Sequence, residues 1–93
     1  MAEIIMYSTR VCAYCDRARQ LLQRKQAAFR EVKIDVDPVE RDVMLKRSNG
    51  RRTVPQIFIG ERHIGGFDEL VALERGGELD ALLAPYIDIA PAG

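Results

Sequence analysis

Over residues 3–36 the hydrophobic period changes twice, and this limits the fold more than any other feature of the chain. "EIIMY" (residues 3–7) is a short, nearly continuous apolar run, as expected for a strand covered on both faces. From residue 12 to about residue 25 the spacing becomes helical. Cys15, Ala18 and Leu22, helped by Leu21, share one face, while Arg17, Arg19, Gln20 and Arg24 fall outside it. "FREVKIDV" (29–36) then sets Val32, Ile34 and Val36 at alternate positions, the pattern of a strand with one buried side. Two strands joined through a helix predict a parallel pair.

The rest of the chain extends this unit. "DPVERDVMLKRSNG" (37–50) opens with Asp37 as N-cap, Pro38 at the first helical position and Glu40 three residues past the cap. It closes on Lys46 and Arg47 before Asn49 and Gly50. "QIFIGERHIGG" (56–66) predicts two short strands turning at Gly60 and Glu61. "DELVALERGG" (68–77) has an acidic helix start at Asp68 and Glu69, and "ELDALLAPY" (78–86) is a last helix that Pro85 would end or kink. "IDIAPAG" (87–93) is expected to fray. The order is β-α-β-α-β-β-α with one more short helix, an α/β fold in which helices flank both faces of a mixed four-stranded sheet.

At 93 residues and 47% hydrophobic content, the chain supports one domain over 1–93, with a core of about 3–84 and a tail of about 85–93. Formal charge is zero, so no strong pull on nucleic acid or anionic membrane is expected. Basic residues outnumber acidic ones between Arg10 and Arg52, and the reverse holds from Thr53 onward. This gives either one electropositive flank or a solvated helix face. No signal-peptide pattern is present and "IIMY" is far too short to span a bilayer, which predicts a cytoplasmic, membrane-free protein.

Chemistry concentrates in "TRVCAYCDRA" (9–18), which holds both cysteines, Cys12 and Cys15. A closed zinc site needs four ligands, and the chain offers two cysteines and one distant histidine, His63, so no metal site is expected within it. A disulfide across so short a loop is a poor staple, because it removes little entropy from the unfolded chain. As a reversible redox couple the pair makes better sense. Cys12 lies where the loop after the first strand becomes a helix, so the unpaired N–H groups of the first turn and the positive end of the macrodipole favour a thiolate there. Arg10 adds positive charge nearby. Cys15, one turn in and on the core side, is placed to attack a mixed disulfide on Cys12. C-x-x-C after a strand, at the start of a helix in a βαβ pattern, is a specific redox signature.

Three motifs, "CAYC" (12–15), "TVPQIFI" (53–59) and "GGFDEL" (65–70), in this order and spacing, resemble the small bacterial-type dithiol glutaredoxins, which have the thioredoxin-like fold. The likeness runs over about residues 4–83. It implies a glutathione-dependent thiol–disulfide oxidoreductase, with Cys12 as nucleophile and Cys15 as resolving thiol, acting as a monomer on glutathionylated or disulfide-bonded proteins. It also implies a cis Val54–Pro55 bond and a cradle for glutathione. In that cradle Thr53 and Val54, before Pro55, pair with the cysteinyl backbone, and Gly66, Phe67 and Asp68 at a helix N-terminus meet the γ-glutamyl group. By the same likeness Arg52 meets the glycyl carboxylate and Tyr14 flanks the groove. Plain helix capping is the alternative use of Asp68, and the two uses are compatible.

Two positions depart from the family pattern. Ala13 stands where many relatives have proline, which frees a backbone N–H beside Cys12. Thr9 stands where a lysine is common, and Arg10 next to it is the candidate glutathione contact on that side. Some glutaredoxins without that proline hold a [2Fe–2S] cluster between two protomers, ligated by the first cysteine and glutathione. Ala13 keeps this cofactor as the rival reading, with Cys12 as its ligand.

Overall fold

In the computed structural model, which describes residues 3–87, the five residues of β1 (Ile4–Ser8) are all buried. The apolar run is thus a central strand, flanked by β2 (Phe29–Lys33) in parallel and β3 (Gln56–Ile59) in antiparallel register. With β4 (Arg62–Gly65) paired to β3, the sheet order is β2-β1-β3-β4, mixed and four-stranded as expected. β2 ends at Lys33, earlier than the alternation to Val36 suggests. The Ile34 N–H still donates to the Ser8 carbonyl (2.9 Å), but the chain then turns and Val36 is 59% exposed. The turn is forced because Asp37 must leave the sheet to cap the next helix, so the last alternate valine matches the strand period without belonging to it.

Helix α1 (Ala13–Arg24) buries Cys15, Ala18, Leu21 and Leu22, the stripe read from the sequence. Helix α2 (Pro38–Arg47) starts as expected, with the Asp37 carboxylate accepting from the Glu40 N–H (3.3 Å) and Pro38 where no N–H is needed. It ends as Asn49 adopts φ 60° and the Gly50 N–H donates back to the Leu45 carbonyl at 2.7 Å. Helix α3 (Phe67–Arg75) begins one residue before Asp68, with Gly66 at the N-cap. Helix α4 (Leu79–Leu83) runs on through a 3-10 turn (Ala84–Tyr86) that contains Pro85.

Frayed structure was expected from residue 87, yet Ile87 forms a bridge with Ala27, and the Ala28 N–H donates to the Tyr86 carbonyl (2.7 Å). The physical reason is that Tyr86 packs against the core, which holds the adjoining backbone within pairing distance of 27–28. Residues 88–93, the remainder of the expected frayed end, lie outside the described residues.

The sheet has helices on both faces. On one, Ile4, Met6, Ile57 and Ile59 meet Ala18, Leu21 and Leu22 of α1, Leu70 of α3, and Leu79 and Leu83 of α4. On the other, Ile5, Tyr7 and Phe58 meet Ile34 and Met44 of α2. Between β3 and β4 the register slips at Ile57/Phe58, so Ile57 faces Gly65 and Phe58 faces His63, with Ile64 as the extra residue. A bulge of this kind bends its strand and re-aims the chain beyond it. In this sheet the re-aimed stretch is Gly66 and the start of α3.

Candidate active site

Cys12 is the N-cap of α1, extended at φ −159° and ψ 106°, and the Cys15 N–H donates to its sulfur at 3.0 Å. The backbone therefore presents a first-turn N–H to Cys12 Sγ, as the position in sequence predicts. The two cysteines are joined as a disulfide with Cα atoms 5.2 Å apart. They differ in access: Cys12 is partly exposed, whereas Cys15 is fully buried in the α1 stripe. Val11, directly before Cys12, is 94% exposed.

The Val54–Pro55 peptide is cis, and the Val54 carbonyl oxygen lies 3.9 Å from Cys12 Sγ. Beside this contact runs a groove of about 290 Å³, lined by Tyr14, Thr53, Val54, Pro55, Gly66, Phe67 and Asp68 together with Arg51 and Glu69. The fold thus brings three stretches far apart in sequence to one cleft: the first turn of α1, the segment before β3 and the N-terminus of α3. Tyr14 and Phe67 face each other with ring centres 6.0 Å apart, and the Arg17 guanidinium sits over Tyr14 at 5.7 Å.

Two of the expected ligand contacts are placed elsewhere. Arg10 turns away from the groove to Asp35, giving its Nε–H to the carboxylate at 2.9 Å and its backbone N–H at 3.2 Å. That pairing holds the Asp35 carboxyl below its ordinary range. Arg52 is exposed and does not line the groove, whereas its neighbour Arg51 does. No sequence signal separates two adjacent arginines in a loop, because the choice is made by the path of the backbone.

At the α3 N-terminus the capping carboxylate is Glu69. Its Oε1 accepts from the Gly66 N–H (2.7 Å) and from Arg51 (3.0 Å), and the first of these, with the guanidinium, lowers its pKa. Asp68, for which capping is the alternative use, is exposed, and its carboxylate has no hydrogen bond among the described residues. Gly66 followed three residues later by Glu69 was the available signal. With the Gly66 N–H taken, the first-turn N–H groups of Phe67, Asp68 and Glu69 are left without an acceptor within the helix. The cap also explains Gly65: at φ 114° a side chain is strained, and a Cβ there would overlap the Glu69 carboxylate.

His63 is engaged on β3 rather than with the cysteines; its Nε2 faces Gln56 Oε1 at 2.7 Å. Among the described residues no three His, Cys, Asp or Glu side chains converge in a way that suits a metal ion. None of the described helices is long and apolar enough to cross a membrane.

The glutaredoxin family model matches residues 4–64. A glutaredoxin of Pseudomonas aeruginosa is 54% identical over 84 residues, which cover 90% of this chain and 99% of that one. Glutaredoxin 3 of Escherichia coli K12 is 51% identical over 83 residues, 89% of this chain and 99% of that one. Among solved structures, the buckwheat glutaredoxin–glutathione complex superposes with a TM-score of 0.84 at 29% identity, over 94% of this chain and 83% of the other.

Proposed function

The chain belongs to the glutaredoxin family and is a glutathione-dependent thiol–disulfide oxidoreductase, and on that premise we propose that Cys12 is its nucleophile and Cys15 its resolving thiol. The observation that carries the assignment is the unequal access of the two sulfurs, one partly exposed at a helix N-terminus and one fully buried behind it. Cys12 thiolate attacks the glutathione sulfur of a protein–glutathione mixed disulfide. The protein leaves as its thiolate, and Cys12 keeps the glutathione as a new mixed disulfide. A second glutathione thiolate attacks that bond, which releases oxidised glutathione and restores the Cys12 thiolate. With a protein disulfide as substrate, Cys15 attacks the Cys12 mixed disulfide instead, expelling the protein thiolate and leaving the Cys12–Cys15 bridge for glutathione to reduce.

The groove supports a bound glutathione with its cysteinyl part along Thr53 and Val54, extending the chain before Pro55 as a short added strand. Its γ-glutamyl carboxylate meets the free N–H groups of Phe67 and Asp68, and its ammonium meets the Asp68 carboxylate. Tyr14 walls the side nearest α1. Arg51, already in the groove, is better placed for the glycyl carboxylate than Arg52. Arg10 contributes through Asp35 only, by fixing the loop between β1 and α1. The protein acts as a cytoplasmic monomer, on glutathionylated or disulfide-bonded proteins.

A deglutathionylation assay tests the roles. Cys12→Ser abolishes turnover and Cys15→Ser keeps most of it; the reverse pattern overturns the assignment. A second reading, a [2Fe–2S] dimer held by Cys12 and glutathione, uses the same partly exposed sulfur once the Cys12–Cys15 bridge is reduced. Anaerobic reconstitution followed by absorption and sizing separates the two, and a colourless monomer eliminates the cluster.

A further inference from the structure

Two side chains that do not line the groove, Gln56 and His63, form a line that ends on Thr53, which does. Gln56, the first residue of β3, is fully buried. Its Nε2 lies 3.0 Å from the Thr53 carbonyl oxygen and 3.2 Å from Thr53 Oγ1, and its Oε1 lies 2.7 Å from His63 Nε2.

The chemistry fixes the direction of each bond. A carbonyl oxygen only accepts, so the end of the Gln56 amide facing Thr53 is the NH2 group, which donates toward both Thr53 oxygens. The other end is therefore the carbonyl, and His63 Nε2 carries a proton to donate to it. Neutral imidazole protonated at Nε2 and charged imidazole both satisfy this; the tautomer protonated at Nδ1 alone does not. The ring is held flat for the purpose. It stacks on Phe58 with centres 4.7 Å apart, and the Arg47 guanidinium lies over the same Phe58 ring at 4.2 Å.

We propose that His63 and Gln56 are positioning residues for glutathione: His63 orients the Gln56 amide, which grips both oxygens of Thr53 and so fixes the backbone that the tripeptide pairs with. This rests on the glutathione reading of the groove. Thr53 is exposed and precedes the Val54–Pro55 bond, so its alignment depends on what holds it from behind. Gln56 donates to one Thr53 Oγ1 lone pair, which leaves the hydroxyl hydrogen available as a donor. Both ends of the Gln56 amide have a hydrogen-bond partner, and a buried amide so placed is costly to leave unpaired.

The line binds ground state and transition state alike, so its loss raises KM and leaves kcat in place. With a glutathionylated peptide as substrate, Gln56→Met, close in volume but without the amide, raises KM about tenfold, the effect of losing a buried hydrogen-bond pair. His63→Phe keeps the stack on Phe58 and removes only the Nε2 donor; KM rises about threefold. Alkylation of reduced Cys12 by iodoacetamide proceeds at the wild-type rate in both. An unchanged KM in a folded Gln56→Met protein overturns the proposal while wild-type turnover leaves the glutathione reading intact. Should that variant not fold, long-range proton–nitrogen spectra of the wild-type imidazole decide: Nε2 protonated supports the line, and Nδ1 protonated alone overturns it. A wild type with no activity on the glutathionylated peptide instead overturns the reading of the groove on which the proposal stands.

Discussion

The two faces of the sheet are built differently. Among the described residues the hydrophobic cluster under α1, α3 and α4 holds eleven buried side chains, all aliphatic or Met, and the cluster under α2 holds five, two of them aromatic. Helix α2 buries only Met44, and much of its closure comes from partly buried groups: Val43, Leu45, Val54, and the Arg47 guanidinium over Phe58. The first face holds the fold together by area removed from water. The second gives up area for polar and aromatic contacts, and these contacts lead to Val54 and Thr53 in the groove. The heavy face anchors the helix that carries the cysteines, and the light face aligns the segment opposite them.

The heavy face also has a charged fastening at its edge. Glu31 of β2 accepts from Arg19 of α1 twice (2.7 Å each), from Lys33 (2.7 Å) and from the buried Ser8 hydroxyl (2.6 Å). The Arg19 hydrogen bonds, foremost, pull the Glu31 carboxyl down to about 2. Arg19 also reaches Asp16 at 2.7 Å, so the helix bearing Cys12 and Cys15 is tied to the sheet one turn past the cysteines.

If the contrast is right, Leu22→Ala on the heavy face costs about 4 kcal/mol, because a fully buried leucine in close packing leaves a cavity that cannot collapse. Urea unfolding measures it, and KM for glutathionylated substrate stays at the wild-type value in the molecules that remain folded. Acid comes next. Glu31 has a folded pKa below its unfolded one, so its stabilisation is complete above about pH 4.5 and drains away as pH falls toward 2. The loss is on the order of 1–3 kcal/mol for a carboxylate this well enclosed. Unfolding midpoints of wild type and Glu31→Gln should converge across that window; parallel curves would remove Glu31 as the source.

Met44→Ala, on the light face, costs about 2 kcal/mol, at the low end for such a truncation because the surrounding side chains are fewer and can close in. Unlike Leu22→Ala it also raises KM, since Val54 packs on the same cluster. Equal KM effects from the two truncations would erase the distinction between the faces. The smallest change is Asp37→Ala, which removes the α2 cap at about 1 kcal/mol by thermal unfolding and leaves turnover unchanged.

Elements with a strong local reason to form were legible in the sequence. Asp37, Pro38 and Glu40 announce a helix start, Gly60 with Glu61 a hairpin, and Cys15, Ala18 and Leu22 a buried stripe, because each signal acts over three or four residues. Errors arose where a local pattern met a longer-range demand. Alternation ran on to Val36, but the cap at Asp37 ended the strand at Lys33. Asp68 suggested a helix start, whereas Gly66 takes the cap with Glu69 closing it. Ile87 looked like a loose end, and pairing with Ala27 holds it. The site followed the same rule. Its three motifs were visible, but Arg51 rather than Arg52 in the groove, Arg10 turned to Asp35, and the line from His63 to Thr53 were not, since each depends on side chains from separate elements.

By itself the sequence determined the period of each element, its stops and starts, and the presence of a nucleophile at one helix mouth with a second sulfur one turn behind. Those properties depend on neighbours in the chain, whose separation is set by covalent geometry. Only the tertiary structure decided which arginine lines the cleft, that Arg10 turns to Asp35 and that His63 reaches Gln56. Such choices are made between groups 7 to 25 residues apart, whose distances do not exist until the sheet has registered and the bulge at Ile64 has re-aimed the chain.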